Sequence, residues 1–475
     1  MIGRASSRMP GADAGAGPRP AVLVAVAVLG GLALAWPMLA TGGPFAFHDT
    51  PGYLRGGRTA LQMAADHLGR LLPASPGAAG GGGAGGGAGA GAVEEGPHFI
   101  RSFVYSVGGY LAVALGGPGF LVFLQGLMTT AMLLALPEPA DLRRPGLWLA
   151  GAVLVAATPV AFFASYLIPD IFSALIVLHV MLLVGRFDRM GRGARIVTTA
   201  IGCIAVAAHY GNPPMAMALY GAALAWLALR RRLGVWVLVC GLAPLAFSPV
   251  ANLTASTVAL KETSTAPLRM PILLARSIDD GPALWYLQAA CPTEPLAFCE
   301  AFGGRLPTNL RELLFDPAGV RSLTEAQMTA IRAEEPLILW RAFKAYPLQQ
   351  LDSFLGNSRR QFLRIGTEDL RPSAGLDAEM APLPPATARG AALLAAYDPV
   401  FRLGAGLAAL VLAGLALTGR LSGRERVMLG FLVLGLGVNA MVFGGLSAPA
   451  DRYQTRVIWL VPALALLALA RRRAP

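Results

Sequence analysis

The sequence predicts an all-α, polytopic membrane protein with about ten to eleven transmembrane helices and a helical layer outside the membrane. Three observations carry this prediction. The 475 residues are 55% hydrophobic and only 14% charged, whereas a soluble domain carries about 25% charged residues. The apolar residues gather in stretches of roughly 17–23, long enough to cross a hydrocarbon core of about 30 Å at about 1.5 Å per residue. The arginines gather between those stretches, in short connectors. The alternation expected of a β-barrel is missing. The net charge of +12 therefore reads as a topology signal, since basic connectors keep to the cytoplasmic side, and not as a nucleic-acid interface.

Hydropathy places the spans at 21–41, 118–136, 146–166, 168–185, 195–210, 213–229, 233–252, 401–418, 427–446 and 457–470. The first is too long for the core of a cleaved signal peptide. Thr41-Gly42-Gly43-Pro44 is also a poor cleavage site, so the span reads as a retained helix. Arg143-Arg144, the stretch 186–195, Arg230-Arg231-Arg232, the stretch 420–426 and Arg471-Arg472-Arg473 become cytoplasmic connectors, joined by Arg4, Arg8 and Arg19 of the N-terminal tail. Both termini then lie in the cytoplasm of a bacterial-type inner (plasma) membrane. Outside fall Asp49, the Pro169-Asp170 corner, His209-Tyr210-Gly211-Asn212, the loop 253–400 and Asp451-Arg452-Tyr453. All the unusual polar residues at span ends share one side.

The chain divides into an N-terminal transmembrane module (1–252) with a first outer loop (42–117), an extracytoplasmic helical loop (253–400) and C-terminal transmembrane helices (401–475). Inside the first loop, 77–92 is nearly pure Gly/Ala and reads as a linker. Residues 58–72 suit an amphipathic surface helix, and 99–116 a re-entrant or interfacial helix; the rival reading makes the two segments a pair of extra crossings, against which stand Arg58, Asp66, His67 and Arg70. In the large loop, Ser322-Leu323-Thr324-Glu325 matches a capping box. A helix over 336–365 is expected to kink or split at Pro347. Cys291 and Cys299 are predicted to form a local disulfide if the loop faces an oxidising compartment. Cys203 and Cys240 sit in apolar spans and read as packing residues. His48, His67, His98, His179 and His209 are scattered, without zinc spacing.

Four outward positions carry chemistry. Asp49 reads either as a general base, which must reach the proton it takes, or as the cap of Asp49-Thr50-Pro51. Asp170 reads either as a second site acid or as a tight-turn cap. Together the two carboxylates offer oxygen ligands of the kind magnesium, manganese or calcium prefers. His209 with Tyr210 and Asn212 closes another outer hairpin, either as interfacial residues or as part of a site. Arg452 can match phosphate oxygens with a permanent charge, or snorkel to lipid head groups. Arg55, Arg58 and Arg101 are secondary candidates for the same task.

In order and sidedness these elements resemble the GT-C superfamily of integral-membrane glycosyltransferases, of the aminoarabinose-transferase and protein O-mannosyltransferase type. The resemblance rests on Asp49 in the first outer loop, the apolar helix after it, the Pro169-Asp170 corner and Arg452-Tyr453 entering a late span. It implies a polyprenyl-phosphate-linked sugar donor and a lipid, glycan or protein acceptor. It further implies Asp49 as catalytic base and Asp170 as a second acid that shapes the site or binds Mg or Mn. Arg452, Tyr453, Arg55, Arg101 and His209 would grip the lipid phosphate. Two other classes compete: a non-catalytic scaffold or assembly factor, and a lipid or solute transporter. Against a transporter stand the scarcity of mid-span ionisable residues, His179 being the exception, and the lack of an inverted repeat.

Overall fold

A computed structural model describes residues 20–71, 101–263, 269–373 and 387–471. The N-terminal tail, the Gly/Ala segment 77–92, residues 99–100 and Arg472-Arg473 lie outside the described residues. Among the described residues the protein is helical, with no strand and one isolated bridge, Phe45 to Tyr166. Five helices are long and apolar enough to cross a membrane: Pro20–Thr41, Val235–Thr254, Thr387–Leu417, Gly423–Gly445 and Asp451–Ala470. Phe103–Gly116, Pro118–Leu134, Pro145–Ala157 and Ile171–Gly185 are apolar but shorter.

Proline and glycine explain where the helices depart from the hydropathy reading. The expected span 146–166 is two helices, Pro145–Ala157 and Val160–Ser165. The break falls at Thr158-Pro159, where the ring removes a backbone donor. By contrast, Val235–Thr263 runs through Pro244 and Pro249, and Thr387–Leu417 through Pro399. These two helices therefore extend across positions 252 and 401. Phe103–Gly116 has 14 residues, a rise of about 21 Å, which is short of a full crossing. At Gly117 (φ 77°) the chain folds back onto Pro118–Leu134. There the Tyr105 hydroxyl donates to Gln125 Oε1. Residues 58–71 belong to a longer helix, Thr50–Leu71, which buries Tyr53, Leu54 and Gly57 and exposes Arg55 and Arg58; residue 72 lies outside the described residues.

Close glycine contacts hold the bundle. A Cβ on Gly31 would stand 2.9 Å from the Leu127 backbone nitrogen. The first helix and Pro118–Leu134 can therefore cross only with glycine there. All 15 residues of Ile171–Gly185 are buried, as its apolar periphery requires. It packs against Arg192–Ala207, Gly423–Ala440 and Asp451–Ile458, and its N-terminus delivers Asp170.

Residues 272–363 form a helical layer with its own core, including Leu274, Phe298, Leu313, Met328, Ile331 and Ile338. Cys291 and Cys299 are disulfide-bonded, with Cα atoms 5.3 Å apart. The capping box there is Thr324 with Gln327, shifted from the expected Ser322 and Glu325. The Ser322 hydroxyl instead donates to Gly319 O. The helix Glu325–Ala345 ends at Tyr346, and Pro347–Leu363 follows in a new direction. This second helix buries Asn357, Ser358 and Gln361 and turns Leu348, Leu351 and Leu355 outward. Its polar face docks on the π-helical turn Met441–Gly445. A Cβ on Gly445 would meet the Phe354 ring at 2.6 Å, so glycine sets this approach too. Gln361 donates to Ala450 O at 2.9 Å and accepts from Ala450 N at 2.8 Å.

Candidate active site

The short helix Asp451–Ile458 follows directly from that docked turn. Arg452 and Arg456 lie four residues apart and therefore on one helix face. Arg456 has a side-chain exposure of 0%. Its Nη1 donates to Asp170 Oδ1 at 2.7 Å, and its Nη2 to Asn439 Oδ1 at 3.3 Å. The guanidinium lies 3.8 Å from the Phe443 ring centroid and 4.9 Å from that of Tyr453. A buried guanidinium needs such partners, because an unpaired charge there costs several kcal/mol.

Asp170 occupies the N-cap position of Ile171–Gly185, yet its φ and ψ are helical (−64°, −35°) and its side chain caps nothing. The cap reading of this residue is thus replaced by an ion pair. Its second oxygen, Oδ2, is buried without a hydrogen-bond partner, and Arg452 Nη1 stands 4.0 Å from it. On the other side, Arg452 Nη2 is 3.9 Å from Asp49 Oδ2. The same guanidinium donates to the Tyr453 hydroxyl at 3.1 Å and lies 4.4 Å from the Phe47 ring centroid. Asp49 Oδ1 accepts from Arg101 Nη2 at 2.7 Å.

The result is a row of alternating charge: Arg101, Asp49, Arg452, Asp170, Arg456. Three cations face two anions, so the row carries one excess positive charge. Its parts come from distant points in the chain and are pinned locally. The Thr50 hydroxyl donates to Leu167 O, Leu167 N to Phe45 O, and the Tyr210 hydroxyl to Arg101 O. His48 is exposed beside Asp49, 3.5 Å away. Partial desolvation comes first among the influences on it. With the Arg452 and Arg101 charges, it outweighs Asp49 and holds the His48 pKa below its ordinary 6.5. Arg364 lies at the rim. Its hydrogen bond to Asp451 Oδ1, at 2.6 Å, raises its pKa further.

The structure brings Asp49, Asp170, Arg452, Tyr453 and Arg101 together. The His209 ring stands 5.7 Å from the Phe443 ring, and its Nδ1 accepts from Gly211 N at 2.9 Å, so it borders the row without an ion pair in it. Arg55 is exposed on Thr50–Leu71. Arg456, Phe47, Asn439 and Phe443 did not figure in the sequence reading. The Arg-x-x-x-Arg spacing ahead of the last apolar run was the available signal for Arg456.

The donor set does not suit a divalent cation. Arg452 stands between the two carboxylates, and no three His, Cys, Asp or Glu residues converge among the described residues. The expectation of Mg or Mn at Asp49 and Asp170 therefore meets two carboxylates already faced by guanidinium groups. Two cavities lie toward the opposite end of the bundle: one of about 730 Å³ between the first and last helices, and one of about 1170 Å³ among the connectors around Glu138, Arg230, Arg420 and Arg471. Compared with family models, curated proteins and solved structures, the chain has no match.

Proposed function

We propose that this protein is a membrane glycosyltransferase of GT-C type. It would move a sugar from a polyprenyl-phosphate donor to a lipid, glycan or protein acceptor at the Asp49–Arg452–Asp170–Arg456 row. One observation supports this reading most: two carboxylates and two guanidinium groups from three chain segments meet at one bundle end, with a partly exposed acid at the outer end of the row. The connector arginines favour an extracytoplasmic site with both termini in the cytoplasm.

In this mechanism the donor phosphate competes with Asp49 for Arg101 and Arg452. Guanidinium groups bind phosphate in the same forked geometry as carboxylate, so the exchange costs little and frees the Asp49 oxygens. Asp49 then takes the proton of the acceptor hydroxyl. The acceptor oxygen bonds to the anomeric carbon as the bond from that carbon to the phosphate oxygen breaks. The electron pair leaves with the lipid phosphate. Arg452 and Arg101 neutralise the growing negative charge, the usual source of electrostatic catalysis. Asp170 and Arg456 touch neither substrate. Their fixed pair holds Arg452 in place, and the single excess positive charge of the row draws in the anionic donor.

The test is mass spectrometry of glycolipids and cell envelope from a deletion strain complemented with wild-type chain, Asp49→Asn or Arg452→Ala. The expected result is a missing sugar mass and a lipid-linked sugar that accumulates, restored only by wild type. Asp49→Asn is expected to insert and express normally while transfer falls by about 10²-fold or more, the lower range for a general base. An unchanged glycan profile in the deletion strain sinks the transferase reading and favours the scaffold alternative.

A further inference from the structure

At the end of the bundle away from the ion row, the 1170 Å³ cavity is lined by seven arginines and three carboxylates, an excess of four positive charges. Basic connectors that serve only to orient a membrane protein need not converge. Here they do. Three guanidinium groups, of Arg186, Arg189 and Arg424, share one oxygen of Glu138 at 3.2, 2.6 and 3.2 Å. Arg471 reaches Asp141 at 2.8 Å and Glu425 at 3.6 Å, and its Nη2 is buried without a hydrogen-bond partner. Arg230, Arg232 and Arg420 line the same cavity and form no ion pair with a carboxylate among the described residues. Two left-handed residues, Arg231 (φ 53°) and Gly419 (φ 67°), turn the connectors that present them.

The neighbouring 730 Å³ cavity is almost wholly apolar, lined among others by Leu142, Leu147, Trp148 and Leu467. The connector 136–144 walls both cavities: Leu136, Pro137 and Leu142 face the apolar one, Glu138, Asp141 and Arg144 the basic one. The last helix and its C-cap do the same through Leu467 and Arg471. A polar cleft with surplus guanidinium donors beside an apolar groove matches an amphiphile with a phosphate head and a hydrocarbon tail.

The geometry points to a binding site here for a lipid that ends in a phosphate monoester, its head among Arg230, Arg420 and Arg471 and its tail along Leu142 and Leu467. This assignment does not rest on the transferase reading, since it concerns the opposite end of the molecule.

The full chain in neutral detergent micelles is titrated with dioleoyl phosphatidic acid, dioleoyl phosphatidylcholine or inorganic phosphate while thermal unfolding is followed by tryptophan fluorescence. A ligand that binds only the folded state raises Tm in proportion to its occupancy. Phosphatidic acid is expected to give a saturable rise, and phosphatidylcholine none. Arg230→Gln with Arg420→Gln is expected to weaken the apparent affinity about tenfold or more, whereas Arg305→Gln with Arg311→Gln in the helical layer leaves it unchanged. Gly151 lines the apolar cavity and has open space at its Cβ position. Gly151→Phe is therefore expected to fill the groove and weaken dioleoyl binding without altering charge. A rise that survives both the double arginine variant and Gly151→Phe overturns the site. An equal rise with inorganic phosphate overturns the lipid and assigns the cleft to a soluble anion.

Discussion

Arg456 shows how far one side chain can be committed by its surroundings. Its charge is wholly buried and faces Asp170, which is itself buried. Removing one member of such a pair leaves the other charge uncompensated, at a cost of about 3–5 kcal/mol. Arg456→Gln is expected to lose that much stability, and Asp170→Asn a comparable amount. Asp49→Asn, at a partly exposed position, is expected to lose far less. Thermal unfolding in detergent reads the difference, and equal losses at all three positions would contradict the described burial. His48 gives a pH dependence of definite sign. Its folded pKa lies below 6.5, so the unfolded chain takes up the proton first as pH falls. Stability is therefore full above about 6.5 and is lost as pH drops toward the folded pKa. His48→Gln should flatten that slope, as seen in unfolding curves between about pH 7 and 5.

Among the elements, the helices declared themselves unevenly. Fully apolar runs such as Ile171–Gly185 were visible because their composition leaves no polar face. Their ends were harder to read. Pro159 broke a helix whereas Pro244, Pro249 and Pro399 did not, since neighbouring packing decides whether a lost backbone bond is tolerated. The capping box was recognisable as a pattern but fell two residues late, at Thr324 instead of Ser322, because two overlapping hydroxyl–acid/amide spacings compete in 322–327. The docking of Pro347–Leu363 on Met441–Gly445 had no sequence signal, because the polar face of that helix is the buried one. Gly445→Val is expected to push Phe354 away and detach this helix. Faster hydrogen exchange over 347–363, with Ile171–Gly185 unchanged, would be the readout. Unaltered exchange in both would mean that the contact is not needed.

For the whole molecule, sidedness was the useful inference from sequence. Asp49, Asp170 and Arg452 were each ambiguous between capping, snorkelling and chemistry. Their common placement at span ends made a shared cleft the economical reading, and they lie within one row. What stayed hidden is how they meet. Arg101 is one of several comparable arginines in the sequence, although among the described residues it alone donates a hydrogen bond to the Asp49 carboxylate, at 2.7 Å. Arg456 stands one residue ahead of the span 457–470 and has no role in the sequence reading. Pairings across more than 280 residues, as between Asp170 and Arg456, leave no local trace. The surplus of arginine at both ends of the bundle has one meaning for topology and another for binding, and composition does not separate the two.

The clasp between Gln361 and Ala450 sits one residue ahead of the helix that carries Arg452 and Arg456. Arg364 adds a second fastening, to Asp451. Layer and charge row are thus bolted at a shared hinge pin, so a shift of Pro347–Leu363 would turn the very backbone that presents the two arginines.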